Sequence, residues 1–546
     1  RDHARRGGIH DRVVIHDPVS DELPYADNLF NLVYAGHLTP AANATEIVRV
    51  LRPAGGVAIV ADKSFASQSV QLRQSYPHTT LARCGPDDQW FSAAKPPPQG
   101  IGQWTHIYGS TSNTSSSEDQ LVKGPLALQW FGGPGPRQMI DRHHRTVPPL
   151  VAHGWMFIPG DERVICVDAY NGSVAWNTPV PLSRRVGALR DAGSMSATRD
   201  LLYIVADDKC HALSVATGRP AVTLSPPLPG DDSRHWGYVA REGDQLLGST
   251  TRPGASRSGL SREQISETYY DFLPIVTSDS LFSMDRHDGK RHWQYIPTSG
   301  AIVNPTVTVA DGKVFFVESS NPETLTDMDG RSTPKQLLAQ GASLVALDLS
   351  SGSLVWRKKV DFSAIQHHLY LSHARGTLMA VGSRNAAGAG KPTVWYDVYA
   401  FDSSSGEKRW SATHNQGQNI GGSHGEQDHH PAIVGDTIYV EPVAYSIKDG
   451  QRRAGWQMNR EGHGCGTLSA SAHTVFFRAG TATMCDLASG RKAKVTTVSR
   501  PGCWINMIPA NGMLLIPEAS SGCTCDLAIQ TSMAFAPADT KKPGEE

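Results

Sequence analysis

The 546-residue sequence predicts a mainly β protein: a propeller of seven or eight four-stranded blades, preceded by a small partial α/β segment. Three observations predict it. A motif of the form Asp-x3-Gly-x3-Trp recurs along the chain, which is the mark of a repeat architecture. Each copy is flanked by short apolar, β-branched runs of strand length. Gly (52) and Pro (35) together make up about a sixth of the residues, the turn supply that many short strands require.

Residues 1–65 read differently from the rest. Val13 to His16, Asn31 to Ala35 and Val57 to Val60 are buried-strand runs. Ala44 to Leu51 has helical periodicity, with Ile47, Val48 and Leu51 on one face, and Pro53-Ala54-Gly55-Gly56 stops it. Alternating strands and helices predict an α/β layer. The run from Leu23 to Val33, followed by Val50-Leu51-Arg52-Pro53-Ala54-Gly55-Gly56, resembles the second half of a class I methyltransferase. The resemblance places the methyl donor on a Gly-rich loop after a first strand. No such strand and loop precede Arg5-Arg6-Gly7-Gly8, so S-adenosylmethionine is not expected. Residues 66–120 read as a linker and irregular segment.

Residues 121–540 carry the repeat. Intact copies fall at Asp168, Gly172, Trp176; Asp285, Gly289, Trp293; Asp348, Gly352, Trp356; and Asp402, Gly406, Trp410. Degenerate copies lie at Thr217-Gly218, at Asp449-Gly450 with Trp456, and at Asp486 with Gly490. Asp and Gly suit a tight hairpin, in which Gly supplies positive φ and the Asp carboxylate bonds the turn backbone. The Trp four residues on is expected to pack between neighbouring sheets, since one sheet cannot bury both faces alone. Trp130 is expected in a first blade closed by the C-terminal run Met533 to Ala536.

This pattern resembles the repeats of quinoprotein (PQQ-type) alcohol dehydrogenases and their cofactor-free relatives. With the N-terminal segment, the arrangement also resembles a class of exported planctomycete-type proteins. The enzymes of that family hold their quinone with Ca²⁺, a stacking Trp and an adjacent Cys-Cys pair. The chain has no Cys-Cys dipeptide and no CxxCH haem motif, so PQQ is not favoured.

Composition excludes further classes. Lys and Arg total 51 against 52 Asp and Glu, which argues against an electrostatically driven nucleic-acid binder. No apolar run reaches the ~18 residues of a membrane-spanning helix. Five of the eight cysteines (Cys465, Cys485, Cys503, Cys523 and Cys525) fall near the C-terminus, which suggests disulfides or a metal site; with the resemblance, they point to an exported, periplasmic or extracellular protein.

Four polar segments outside the Asp-Gly hairpins are candidates for a site. Arg142, His143, His144 and Arg145 form one, and His367, His368 and Tyr370 another. His424, Glu426, Asp428, His429 and His430 crowd five metal-capable groups into seven residues, and His463 adds a sixth. Imidazole binds borderline metals and serves as a base near neutral pH. The second set is therefore expected to hold a divalent metal (Zn, Cu or Ca). The histidines and Tyr370 of the first two segments would move protons, with Arg142 and Arg145 stabilising developing negative charge. Trp104-Thr105-His106 could form a sugar-binding wall. The reading is an exported carbohydrate-active enzyme, lyase-type and metal-assisted, on an acidic polysaccharide. Its alternatives are a non-catalytic binding propeller and a quinone-dependent dehydrogenase. The oligomeric state is not legible.

Overall fold

The computed structural model describes residues 22–141, 145–227, 233–267, 274–386, 393–419, 426–458, 460, 464, 466–518, 521–522, 527 and 529–538. The chain divides into two compact units, Arg1–Gln99 and Gly100–Glu546.

The first unit holds one four-stranded sheet, ordered Leu32–Ala35, Val57–Val60, Trp90–Ala94, Thr80–Cys84. The first two strands are parallel, joined by the helix Ala44–Val50, and the other pairs are antiparallel. Asn43 caps that helix by accepting from the Glu46 amide at 3.0 Å. Ile47, Val48 and Leu51 are buried against Ala58, Val60, Phe65 and Leu72. Residues 66–94, expected as linker, instead supply a helix and two strands. Ala93 and Leu72 bury with the same core, so the unit needs them to cover its sheet. The strand expected at Val13 to His16 lies outside the described residues.

The second unit is a ring of eight blades. In chain order the innermost strands are Leu150–Ala152, Met195–Ala197, His235–Glu242, Thr308–Ala310, Leu369–Ala374, Ala432–Val434, Ser469–Ala470 and Ile508–Ala510. The fourth blade is extended by Ile302–Val303, Ile275–Ser278 and Arg331–Ser332. The eighth closes the ring: three C-terminal strands end in Ser532–Pro537, which pairs with Leu126–Gly132 from the start of the unit. Trp130 thus shares a blade with Met533 to Ala536 as expected, and it sits on the outer strand of the last blade.

The repeat motif explains how blades join. In each intact copy the Asp carboxylate accepts from turn amides, as Asp168 does from Tyr170 at 3.0 Å. The Trp then reaches the Gly of the next blade's turn. Trp176 Nε1 donates to Val215 C=O at 2.8 Å, and a Cβ on Gly218 would lie 2.6 Å from its indole. Trp130 meets Gly172 in the same way, Trp293 meets Gly352, Trp356 meets Gly406 and Trp410 meets Gly450. These glycines all have φ between 68° and 75°, so Gly is needed both for the turn and for the indole.

Residues 100–120, also expected as linker, form a belt inside the ring. Gly102 C=O accepts from Asn511, Trp104 exchanges two backbone bonds with Val151, and Thr105 C=O accepts from Ala197. His106 Nε2 lies 3.3 Å from the Arg241 amide. The carbonyls of Thr111, Ser112, Thr114 and Ser115 then accept from Val309, His373, Ile433 and Ala470. The belt therefore bonds to the innermost strand, or its end, in all eight blades. Asp119 closes the circuit, its buried carboxylate accepting from the amides of Gly102, Gly512, Leu121 and Val122 at 2.8 to 3.0 Å. The belt contacts fall toward the C-terminal ends of these strands.

Candidate functional site

The loops that enter the inner strands gather at the other end of the ring. Arg145 precedes the first inner strand, Arg190 the second, His368 the fifth, and Asp428, His429 and His430 the sixth. They converge because radial stacking brings every strand start to one place, whatever the sequence separation.

Asp428 is the hub. Arg190 donates to its Oδ1 at 2.9 Å and Arg145 to its Oδ2. Burial works to raise its pKa, but Arg190 and then Arg145 outweigh it and hold the carboxyl at about 2. Its backbone carbonyl accepts the Tyr370 hydroxyl at 2.7 Å. Arg190 also donates to His367 C=O at 2.6 Å.

The rings stack around this hub. His368 lies on Tyr370 (centroids 3.9 Å apart), and His430 lies on Tyr108 from the belt (3.8 Å). His368 Nε2 donates to Leu189 C=O. The His430 amide donates to Thr467 Oγ1 at 2.7 Å, and Thr467 returns its hydroxyl to His430 C=O at 2.7 Å. Burial first, with the charge of Arg190 second, pushes His368 down to about 3; burial likewise takes His430 to about 3. Both are neutral at pH 7. Burial raises the Tyr370 hydroxyl well above its ordinary value. His368, Tyr370, Asp428 and His430 are each 1–2% exposed.

A second buried ion cluster adjoins. His429 Nδ1 lies 3.1 Å from Glu441, whose carboxylate also takes Arg460 at 2.9 Å. Burial would raise Glu441, but Arg460 and His429 hold it at about 2. The His429 amide donates to Tyr396 Oη at 2.9 Å.

The structure thus brings together Arg145, His368, Tyr370, Asp428, His429 and His430. His367 stands apart, with Nε2 2.5 Å from Asn385 Oδ1. Arg142, His143, His144, His424 and His463 lie outside the described residues, as does the Glu426 side chain. Sequence reading missed Arg190, Tyr108, Tyr396, Glu441 and Arg460. Only the place of Arg190 just before an inner strand could have flagged it.

The described residues of this arrangement do not form the expected metal site. A metal site needs carboxylate oxygens and ring nitrogens turned to one point. Asp428 is spent on two guanidiniums and Glu441 on a third, and His368 Nε2 on a carbonyl. Among the described residues no three His, Cys, Asp or Glu side chains form a metal-holding group. Among the described residues of this cluster, no uncommitted carboxylate is left for the Ca²⁺ that would hold a quinone. The sugar-wall expectation also fails at Trp104, which is fully buried. Arg184, Arg185 and Arg384 are likewise paired, with Asp161, Asp191 and Asp397. Cys84, Cys210 and Cys485 are free thiols, while Cys465, Cys523 and Cys525 lie outside the described residues.

Comparisons place the second unit among known proteins. Solved structures similar to the chain include a quinohemoprotein alcohol dehydrogenase from Comamonas testosteroni (12% identity, 81% of this chain and 82% of that one, TM-score 0.48). BamB from Moraxella catarrhalis is another (12%, 60% and 76%, 0.33). Quinohemoprotein alcohol dehydrogenase ADHIIG from Pseudomonas putida HK5 is a third (10%, 82% and 82%, 0.39). No curated protein matches the chain. Residues 117–329 and 285–502 match one family of PQQ-type repeats, and together they span more than half of the sequence. The chain belongs to that family, whose description is outer membrane protein assembly factor BamB.

Proposed function

We propose that the chain is a non-catalytic propeller that docks a partner protein. On this reading the Asp428 network is a structural lock and not a reaction centre. One observation carries it: of the described groups expected in a site, His368, Tyr370, Asp428 and His430 are almost wholly buried and bonded within the protein. A general base must reach the proton it removes, and these cannot reach a polymer. The family, with its assembly-factor description, supports a binding role over a polysaccharide lyase.

A quinone-dependent dehydrogenase is the second reading. The other ring nitrogens, His368 Nδ1 and His430 Nε2, are buried with no hydrogen-bond partner among the described residues, and such atoms normally meet water or a ligand. Export remains part of the proposal, resting on the C-terminal cysteines. So does a methyltransferase-derived origin for the first unit, supported by its parallel strand pair joined by a helix.

Cross-linking in the cells that make the protein, followed by mass spectrometry, tests the docking role. Cross-links from propeller loops to one second protein are expected. Only intramolecular links would overturn the reading.

A further inference from the structure

At the belt end of the ring, the turns leaving three consecutive inner strands surround a cavity of about 370 Å³. His153 comes from the first blade, Arg199 from the second, and Arg241 and Glu242 from the third. The belt adds Gln103 and His106. This volume falls within the range of small-molecule sites, about 300–1,000 Å³.

These side chains differ from those around Asp428 in being unspent. Gln103, His153, Arg199 and Glu242 make no side-chain hydrogen bond to a described residue. Arg241 Nε is shielded from water and equally without a partner. A buried donor left unmade is costly, and a ligand group would recover that cost. His106 is held from behind by Thr105 Oγ1 at 2.8 Å and Ser196 Oγ at 3.0 Å, so its ring is fixed as a wall. Asp200, also at the rim, is already engaged by Thr198 at 2.8 Å and by Arg286 at 3.6 Å. The charged lining is therefore two guanidiniums and two carboxylates, of which Asp200 is turned to Thr198 and Arg286 while Arg199, Arg241 and Glu242 are left to a ligand.

We propose that this cavity binds a small hydroxylated carboxylate of the sugar-acid class. Arg199 and Arg241 take the carboxylate, since the guanidinium fork matches its two oxygens. Glu242 and Gln103 accept from ligand hydroxyls, and His153 bonds one more. The site is independent of the Asp428 network and of whether the propeller is catalytic.

Calorimetric titration with D-galacturonate tests the proposal, with D-galactose as the uncharged counterpart of the same ring. Saturable galacturonate binding is expected, with galactose weaker by about tenfold or more, the scale of one lost charged hydrogen bond. Arg199→Gln and Arg241→Gln should each weaken galacturonate binding by a similar factor. Arg199 is exposed and holds no part of the fold, so its variant stays informative even where Arg241→Gln does not fold. No galacturonate binding, equal binding of galactose, or unchanged affinity in Arg199→Gln would each overturn the proposal.

Discussion

Arg190 and Asp428 stand 238 residues apart in sequence and meet at 2.9 Å inside the ring. Arg145 takes the other carboxylate oxygen, so one acidic side chain ties the entry loops of the first, second and sixth blades. A buried ion pair broken from one side is costly, because the partner charges stay in a low-dielectric place. Asp428→Asn should lower stability by about 3–5 kcal/mol. A denaturant midpoint within experimental error of the parent would refute that role.

The belt gives a second expectation. Asp119 alone satisfies four backbone amides, from Gly102, Leu121, Val122 and Gly512. Each buried amide left unmade costs about 1–3 kcal/mol. Asp119→Ala should therefore cost at least about 4 kcal/mol. Hydrogen exchange should also quicken near Gly102 and Gly512; protection unchanged there would show that the belt closes by other means.

Inter-blade packing gives a third. Trp176→Ala removes an indole wedged on Gly218 and its bond to Val215. A loss of about 3–5 kcal/mol is expected. Gly218→Ala should also destabilise, since the new methyl would lie 2.6 Å from the indole at a φ of 68°. If Gly218→Ala melted with the parent, the wedge would not be the joint between these blades.

Acid should unfold the propeller through its histidines. Burial, first among the causes, pushes His106, His368 and His430 down to about 3 and His414 to about 4. In the unfolded chain they titrate near 6.5. Between these values the unfolded state holds protons that the folded state does not. Their contribution is complete above about pH 6.5 and is lost as the pH falls, by up to about 1.4 kcal/mol per unit for each ring. Asp428 and Glu441, held at about 2, extend the loss to lower pH. Unfolding free energy that stays level between about pH 7 and pH 5 would contradict the burial of these rings.

The blades were legible because Asp, Gly and Trp act within one turn and its neighbour. Asp168, Gly172 and Trp176 need only local geometry to be recognised. The convergence of the polar loops was partly legible, since those segments avoid the hairpins. Their chemistry was not. Histidine doublets look like metal ligands in sequence, yet Asp428 faces Arg145 and Arg190, and no spacing rule links those three. The belt was invisible for the same reason. Its bonds are single backbone contacts to distant strands, and Trp104 to Asp119 carries no periodic pattern.

Whether the propeller turns over a substrate is decided by an assay on the purified chain. It should be loaded in turn with PQQ and Ca²⁺, with Zn²⁺ and with Cu²⁺, then offered alcohols, aldoses and uronate polysaccharides. Dye reduction and the absorbance of unsaturated products are the readouts. A binding propeller should give rates equal to the blank under every loading. A rate above the blank that depends on the added quinone or metal would show a catalytic propeller instead.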